Sequence, residues 1–392
     1  MRIRYAFLAA LCSAGAVSAQ TEQVLSAIEQ NNGDIRSAAQ QTVASQAEVS
    51  AQNRLNDPTI EFEHLWREKS ARDRSYELTV SQEFDFPAVY AYRGKVLKAT
   101  ASLNEVRQKA LRQQVLLRAK ELCIEIVYLN KQLELTRKRM DMAEMLDRSY
   151  RSKLEQGDVS ILDANKIELE LLNAQVNLQT LLADRKARLN ELTVLNGGEP
   201  LADAADRLDV YPEEELPASF DEFRQLYLSS DPELQMLHSE KSLAQREVSL
   251  SKSQWWPSFE LGYRHTSELG ERFHGLAVGM TLPVFANRKQ VKAAKAQALY
   301  QSMEADNNVL KAVSDMQTVY EETVSLKQSF DRYQVLTRQD NYSLLAKALD
   351  AGQISLVEYL LDAAQLYEAY DNQLRLEYQL QLNLARLYRF KL

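Results

Sequence analysis

Proline, glycine and cysteine are scarce in this chain of 392 residues, which has eight, eleven and two of them. Turn-rich enzymes and disulfide-stapled scaffolds usually contain more of these residue types. Glu, Gln, Leu, Ala, Lys and Arg dominate instead, and such a composition is typical of long helices. The scarcity of helix breakers therefore predicts a mainly α-helical protein.

An excess of positive charge and long apolar runs are also lacking. The formal net charge of −8 argues against nucleic acid as a partner, because nucleic-acid-binding proteins usually carry a basic surface. Outside the N-terminus the sequence has no run of 18 or more apolar residues, so it predicts no membrane-spanning helix.

The N-terminus predicts export. Residues 1–19 have a basic start (Arg2 and Arg4), an apolar centre and small residues at the end, which together are typical of a signal peptide. The large leucine before Cys12 does not suit a lipoprotein cleavage motif. The mature chain then keeps Cys123 alone, as a small apolar residue of a packed helix, and no internal disulfide is expected.

Motifs for catalysis are absent from the sequence. It has no P-loop, no Rossmann glycine pattern, no G-x-S-x-G and no H-E-x-x-H. The four histidines lack metal-ligand spacing: His64, His238, His265 and His274. His265 and His274 flank a predicted hairpin turn and could approach each other, although exposed positions are favoured over a metal site. We therefore expect no enzyme, with no catalytic, cofactor-binding or metal residues.

The chain is an internal duplication. When the sequence is shifted by 199 positions, residues 22–63 align with 221–262 without a gap, and Pro58 meets Pro257. Further on the shift falls to 195, where Gly157 meets Gly352. Two large repeats indicate a pseudo-symmetric protomer rather than a solenoid of short units.

Each repeat is predicted to contain a long helical hairpin. The first repeat is placed at 20–195, a linker at 196–217 and the second repeat at 218–392. Proline-free stretches permit very long helices, since proline breaks helix interiors. A helix over 92–156 would be about 95 Å long, and a second one over 160–196 would return along it.

Both hairpins are predicted to reverse at the same motif, with tips at about 157–160 and 352–355. A glycine ends one helix in the left-handed conformation, a serine caps the next, and an acid three residues later completes a capping-box pattern. These residues are Gly157, Ser160 and Asp163, and Gly352, Ser355 and Glu358.

Between the prolines the hydrophobic period changes from helical to alternating, which predicts strands at about 58–67, 75–86, 257–266 and 273–283. Apolar residues occupy one face, and the opposite face carries acids: Glu61, Glu63, Glu77, Glu83, Asp85 and Glu260. The pattern alone favours a half-buried sheet of a soluble protein. The strand length also suits a tilted membrane strand, but two hairpins cannot close a barrel, so a membrane interpretation requires oligomers.

The whole mature chain resembles the TolC family of outer-membrane efflux ducts. The resemblance rests on the duplicated halves, on strand hairpins set between long helices, and on tips of the form GxxSxxD and GxxSxxE. Within that family the chain is most similar to the outer-membrane component of cobalt-zinc-cadmium-type cation efflux systems. That likeness rests on LNDPTIEFEH (55–64), SYELTVSQEFDFPAVYAYRGKV (75–96) and VGMTLPVFANRK (278–289).

The resemblance implies a homotrimer in the outer membrane, with a 12-strand β-barrel and a periplasmic tunnel of twelve helices. It implies as partners outer-membrane lipid, a periplasmic adaptor (membrane fusion) protein and an inner-membrane pump of the proton-driven resistance-nodulation-division type. Such ducts are passive and have no cofactor. The exported substrate is not readable from the sequence, and metal cations or small toxic compounds are candidates.

The resemblance also assigns Asp163 and Glu358 to the closing end of the tunnel, as a gate. Here the chain departs from the family pattern. Leu349 and Ile354 stand where a tyrosine and an arginine of the closing network are expected. A second acidic ring falls on Leu361, with an aspartate one residue later. The alternative function is a soluble periplasmic coiled-coil adaptor or scaffold, from which we would expect one helical hairpin rather than two.

Overall fold

A computed structural model describes residues 20–67, 70–201, 208–268, 270–283, 287–336 and 341–392. The predicted signal peptide, Cys12 and part of the predicted linker lie outside these residues. None of the described helices is both long enough and apolar enough to cross a membrane.

Helices dominate the structure, and four strands interrupt them. The helices are α1 (20–31), α2 (Gly33–Gln52), α3 (Pro87–Glu155), α4 (Ile161–Leu195), α5 (Phe220–Ser230), α6 (Pro232–Ser253), α7 (Asn287–Leu336), α8 (Asn341–Asp350) and α9 (Leu356–Leu387). The strands are β1 (Thr59–Arg67), β2 (Ser70–Phe84), β3 (Ser258–Glu268) and β4 (Glu271–Thr281). The mainly helical fold with a small membrane-type sheet agrees with the prediction.

Helix α3 is longer than the sequence pattern indicated. It starts at Pro87, five residues before the predicted position. Proline is tolerated in the first turn of a helix, because the first backbone N–H groups have no intrahelical acceptor there. A proline that was taken as the boundary of the strand segment is therefore the first residue of a 69-residue helix.

The four strands form one antiparallel sheet in the order β1-β2-β3-β4. The hairpin of the first half joins the hairpin of the second half through β2 and β3, where Leu78 pairs with His265. In the described part of the chain, β1 and β4 are the edge strands of this sheet.

The chain divides into two compact units, and the sheet belongs to the unit made of 38–110 and 231–312. Where strand and helix meet, Phe86 stacks on Trp256 with ring centroids 4.4 Å apart. Along the helices, Arg107 pairs with Glu240 at 2.8 Å. Asp231 is fully buried and caps α6 by accepting from the backbone N–H groups at the helix start.

The other unit comprises 20–37, 111–230 and 313–392, and it has two apolar clusters. The larger one contains fully buried side chains of α1 and α3, such as Ile28 and Leu122. Lys120 is largely buried beside it and pairs with Glu214. The smaller cluster joins the ends of the two helical hairpins and is built around Tyr150, Ile167 and Tyr359.

Candidate channel lining and helix reversals

One face of the sheet carries charged and small residues. The ladder places Glu63 opposite Glu77, and Glu83 opposite Glu260. Like charges directly opposite each other destabilise a sheet unless water or cations screen them. This face therefore suits an aqueous environment that contains cations.

Neighbouring polar groups offset part of this negative charge. Arg264 Nε lies 2.9 Å from Glu77 Oε1. Ser258 Oγ donates a hydrogen bond of 2.9 Å to Glu83 Oε1. Glu61 pairs with Thr79 across the ladder. Five of the six predicted lining acids thus share one face of the sheet.

The prediction was wrong for the sixth acid, Asp85. Strand β2 ends at Phe84, so Asp85 lies in the junction before α3 rather than on the strand. Its carboxylate binds Arg93 Nη2 at 2.6 Å, and its backbone N–H donates to the Tyr90 hydroxyl at 3.1 Å. These local bonds end the alternation two residues earlier than the sequence pattern indicated.

Two further acids lie on the same face of the sheet, and the sequence pattern did not predict them there. Glu268 pairs with Glu271 across β3 and β4, in the register that puts Glu260 opposite Gly279. The predicted strands stopped at 266 and resumed at 273, which assigned both acids to the turn. The strong turn signal of the glycine at 270, which has φ 93°, could have indicated a tighter hairpin.

Glycines on β3 and β4 make room for this acidic face. A Cβ at Gly279 would lie 3.1 Å from Glu260 Oε2 and 3.3 Å from Glu260 Cβ. A Cβ at Gly262 would lie 3.0 Å from the backbone oxygen of Val80. The carboxylate of Glu260 therefore lies over a glycine, where a larger side chain would displace it.

The opposite face of the sheet is apolar and exposed. Leu276, Val278 and Ile60 are 81%, 77% and 70% exposed. Further exposed apolar side chains lie on the same face: Phe62, Trp66, Leu78, Val80, Phe259, Leu261 and Met280. A contiguous apolar surface of this kind marks an interaction or membrane site.

Both helical hairpins reverse at glycines in the left-handed conformation. Gly157 has φ 78° and Gly352 has φ 68°. At each site the N–H of the residue after the glycine donates back to the carbonyl five positions earlier, Lys153 in one repeat and Ala348 in the other. These bonds satisfy the last carbonyls of the helix, as in a Schellman motif.

The next helix at each reversal is capped by a serine, but the acids act differently. Ser355 Oγ accepts from Glu358 N at 3.2 Å, while Glu358 Oε2 accepts from Ser355 N at 2.8 Å, so the capping box is complete. In the first repeat Ser160 Oγ accepts from Asp163 N and donates to Asp163 Oδ2 at 2.7 Å. The prediction of a complete box was wrong there, because aspartate is one methylene shorter than glutamate.

Both tip acids have lowered pKa values. The pKa of Asp163 falls because its carboxylate accepts hydrogen bonds from Ser160 and Lys166. The pKa of Glu358 falls because it accepts from the backbone and side chain of Ser355. Both acids lie at the protein surface and are ionised at neutral pH.

The two residues that stand in place of the expected tyrosine and arginine of the closing network make apolar contacts. Leu349 and Ile354 pack against the smaller cluster around Tyr359. Nearby, Arg139 binds Glu170 at 2.7 Å and lies 4.7 Å above the ring of Tyr367. Apolar packing thus occupies the positions where a tyrosine and an arginine were expected.

The described residues contain no group of three or more His, Cys, Asp or Glu side chains arranged to hold a metal ion. A model of the Outer membrane efflux protein family matches residues 223–390. The alkaline protease secretion protein AprF of Pseudomonas aeruginosa is 25% identical over 348 residues, which cover 80% of this chain and 70% of AprF.

Solved channel structures share the fold over most of the chain. A crystal structure of CusC has a TM-score of 0.78 at 15% identity, over 95% of this chain and 91% of CusC. The open-state MtrE outer membrane channel of Neisseria gonorrhoeae has a TM-score of 0.76 at 16% identity, over 95% and 88%. The match to the efflux-protein model and the similarity to AprF, together with the acidic face and the exposed apolar face of the sheet, indicate an efflux channel of the outer membrane.

Proposed function

We propose that three copies of this chain assemble into a passive duct through which substrates leave the cell. Each chain supplies four strands, so a trimer supplies the twelve strands of one closed barrel. The observation that carries this proposal is the combination of an exposed apolar face with edge strands β1 and β4. Unpaired backbone groups cannot face hydrocarbon, so these edges need a neighbouring chain as partner.

Assembly can be tested on protein extracted from the outer membrane. We expect native mass spectrometry to give a trimer, and electrophoresis to give a slow band that shifts to the monomer position after heating. A monomer recovered from the soluble periplasmic fraction would contradict the duct and would support the alternative adaptor function.

We further propose that the helix reversals dock on a periplasmic adaptor, which connects the duct to a proton-driven inner-membrane pump of the resistance-nodulation-division type. The reversals expose apolar side chains that a partner could cover. Ile161 and Leu162 follow Ser160 and are 62% and 68% exposed. In the second repeat Val357 is 49% exposed beside Ser355.

This docking can be tested by photo-crosslinking in living cells. A photoreactive amino acid at Leu162 should capture an adaptor that mass spectrometry can identify. The matched control is the same amino acid at Leu310, which is 70% exposed but lies on α7 in the unit that contains the sheet. Equal capture from both positions would contradict specific docking at the reversals.

For the cargo we propose metal cations or small toxic compounds. The likeness of the strand segments to the cation-efflux branch and the acidic face of the sheet support cations. Deleting the gene and testing growth with zinc, copper, cadmium, bile salts and dyes distinguishes these classes. Unchanged sensitivity to all of them would contradict the proposal.

A second candidate cargo is protein. AprF, named for alkaline protease secretion, is similar over 80% of this chain. If this chain serves protein secretion, its deletion should remove one or more proteins from the culture medium while metal and dye sensitivity stay unchanged. Quantitative proteomics of the medium separates the two candidates.

A further inference from the structure

The structure brings two histidines together on the exposed apolar face of the sheet. His265 on β3 pairs directly with His274 on β4. Their Nδ1 atoms are 3.3 Å apart, and their rings stack with centroids 4.6 Å apart. The hydroxyl of Tyr263 lies 2.5 Å from Nδ1 of His274. The sequence indicated that the two histidines could approach each other but favoured exposed positions over a metal site, and the observed contacts lead us to reconsider that preference.

Polar contacts link the two imidazoles and the phenol of Tyr263. Nδ1 atoms at this distance are within hydrogen-bond reach, so the lone pair of one can face the other. His274 Nδ1 lies within hydrogen-bond distance of both the Tyr263 hydroxyl and His265 Nδ1. Three polar atoms therefore converge on one point beside the hairpin turn.

The spacing of the two nitrogens matches that of a metal site. A tetrahedral Zn²⁺ ion with Zn–N bonds of 2.0–2.1 Å holds two nitrogen ligands about 3.3 Å apart. The two Nδ1 atoms already lie 3.3 Å apart. His274 is exposed and His265 is half-buried, so rotation about the Cβ–Cγ bonds, without backbone movement, would aim both lone pairs at an ion.

We propose that His265, His274 and Tyr263 form a surface site for a divalent transition metal ion such as Zn²⁺, Cu²⁺ or Ni²⁺. Imidazole ligands select these ions over Mg²⁺ and Ca²⁺, which prefer oxygen. Two imidazoles bind the ion. The Tyr263 hydroxyl either orients His274 through a hydrogen bond or acts as a third ligand, and water completes the coordination. The bound ion links β3 to β4 close to the turn at Gly270, at the end of the sheet away from the helices.

The site is distinct from the acidic face that lines the proposed duct. The pair follows the alternation of Leu261 and Tyr263 on β3, whereas Glu260 and Arg264 lie on the opposite face. Ions bound at the pair therefore do not sit on the transport path. The proposal does not depend on which cargo the duct carries.

The test uses the full mature protein without a polyhistidine tag, purified in detergent. Cu²⁺ is titrated and followed by electron paramagnetic resonance and isothermal calorimetry. We expect one tight site per chain, with a signal from two coordinated nitrogens. Zn²⁺ should compete for it, and Mg²⁺ should not.

Substitutions at the three proposed residues identify which of them bind the metal ion. His265→Gln and His274→Gln should each remove the two-nitrogen signal, and Tyr263→Phe should weaken binding roughly tenfold, as loss of a supporting hydrogen bond does. The matched controls are His64→Gln and His238→Gln. His64 lies on the same sheet face but stacks on Tyr76 without a second imidazole.

The controls should bind Cu²⁺ as the parent protein does. Equal loss in the control variants, or a parent protein without a two-nitrogen signal, would overturn the proposal. Heat-modifiable migration of each variant verifies that it has folded, so that a misfolded variant is not counted. If His274→Gln fails this criterion, His265→Gln and Tyr263→Phe still decide the outcome.

Discussion

Single residues at the helix reversals combine a structural role with a proposed functional one. Asp163 and Glu358 both belong to capping networks, and hydrogen bonds lower the pKa of each carboxyl group further below neutral pH. A carboxylate whose pKa is lowered on folding stabilises the fold above its unfolded pKa, and this stabilisation is lost as the pH falls through the lowered value. The two caps should therefore weaken only in acid.

The gate role of these acids can be separated from capping. Asp163→Asn with Glu358→Gln removes charge and keeps side chains that can hydrogen-bond in a cap. If three copies of each acid form an anionic ring, the double variant should lose block by trivalent cations added on the periplasmic side. Single-channel conductance measures this, with Asp184→Asn on α4 as control. Unchanged block in an assembled channel would leave only the capping role.

Cys123 provides a second residue-scale prediction. Burial raises the pKa of its thiol to about 12, and its side chain is 1% exposed. The thiolate is the reactive form of cysteine, so maleimide should not label the folded protein at neutral pH. Labelling should appear on unfolding in guanidinium, and mass spectrometry measures both. Rapid labelling of the folded protein would contradict the packing of the larger cluster.

At the scale of elements, the two reversals depend on glycine for conformation alone. A Cβ at Gly157 or Gly352 would contact nothing within 4 Å, yet both residues have positive φ. Alanine there should therefore cost about 1–2 kcal/mol per site, the penalty of the left-handed conformation. Gly33→Ala is the matched control, since its site is equally open but its φ is not positive. Thermal unfolding of the variants measures the difference, and equal midpoints for Gly352→Ala and Gly33→Ala would contradict it.

The sheet gives a prediction about its two faces. Leu78→Arg and Val278→Arg place a charge on the apolar face and should cost about 2–4 kcal/mol near the bilayer midplane. The neighbours Thr79→Arg and Ala277→Arg place it on the opposite face and should be milder. The yield of assembled protein in outer-membrane fractions compares the four. Equal yields would show that the register does not decide which face meets lipid.

Much of this element-level structure could be predicted because it depends on local periodicity and on glycine and proline. The positions of Ser160 and Ser355 before their helices follow from such rules. Details that depend on side-chain length or on distant partners could not be predicted. Asp163 was expected to act like Glu358, and only the geometry shows that it is too short. Asp85 left the strand pattern, and its carboxylate binds Arg93 in the second turn of α3.

The candidate sites, too, could be predicted from the sequence only in part. Alternation indicated which acids share a face, but the contact between His265 and His274 required the register of β3 and β4. The sequence placed these residues near a turn of uncertain length. A shift of one residue in that register would have put one imidazole on the opposite face of the sheet.

At the scale of the whole molecule, the acidic face predicts ion selectivity. If Glu61, Glu63, Glu83 and Glu260 line the pore of an assembled duct, cations should permeate more readily than anions, because carboxylates select by charge. Reversal potentials in planar bilayers under a salt gradient measure this. Glu83→Gln with Glu260→Gln should reduce the preference, whereas Glu48→Gln on α2, away from the sheet, should not. An anion-selective pore would contradict the assigned orientation of the sheet.

The exposed apolar face also has a consequence for how the protein is made. A newly exported chain crosses an aqueous compartment while Leu276 and Val278 have no cover and the edges of its sheet have no neighbours. Exposed apolar surface and free strand edges both promote aggregation. Biogenesis should therefore be limited by this passage rather than by helix formation, and cells short of periplasmic chaperones should lose this protein to proteolysis sooner than they lose periplasmic proteins without such a face.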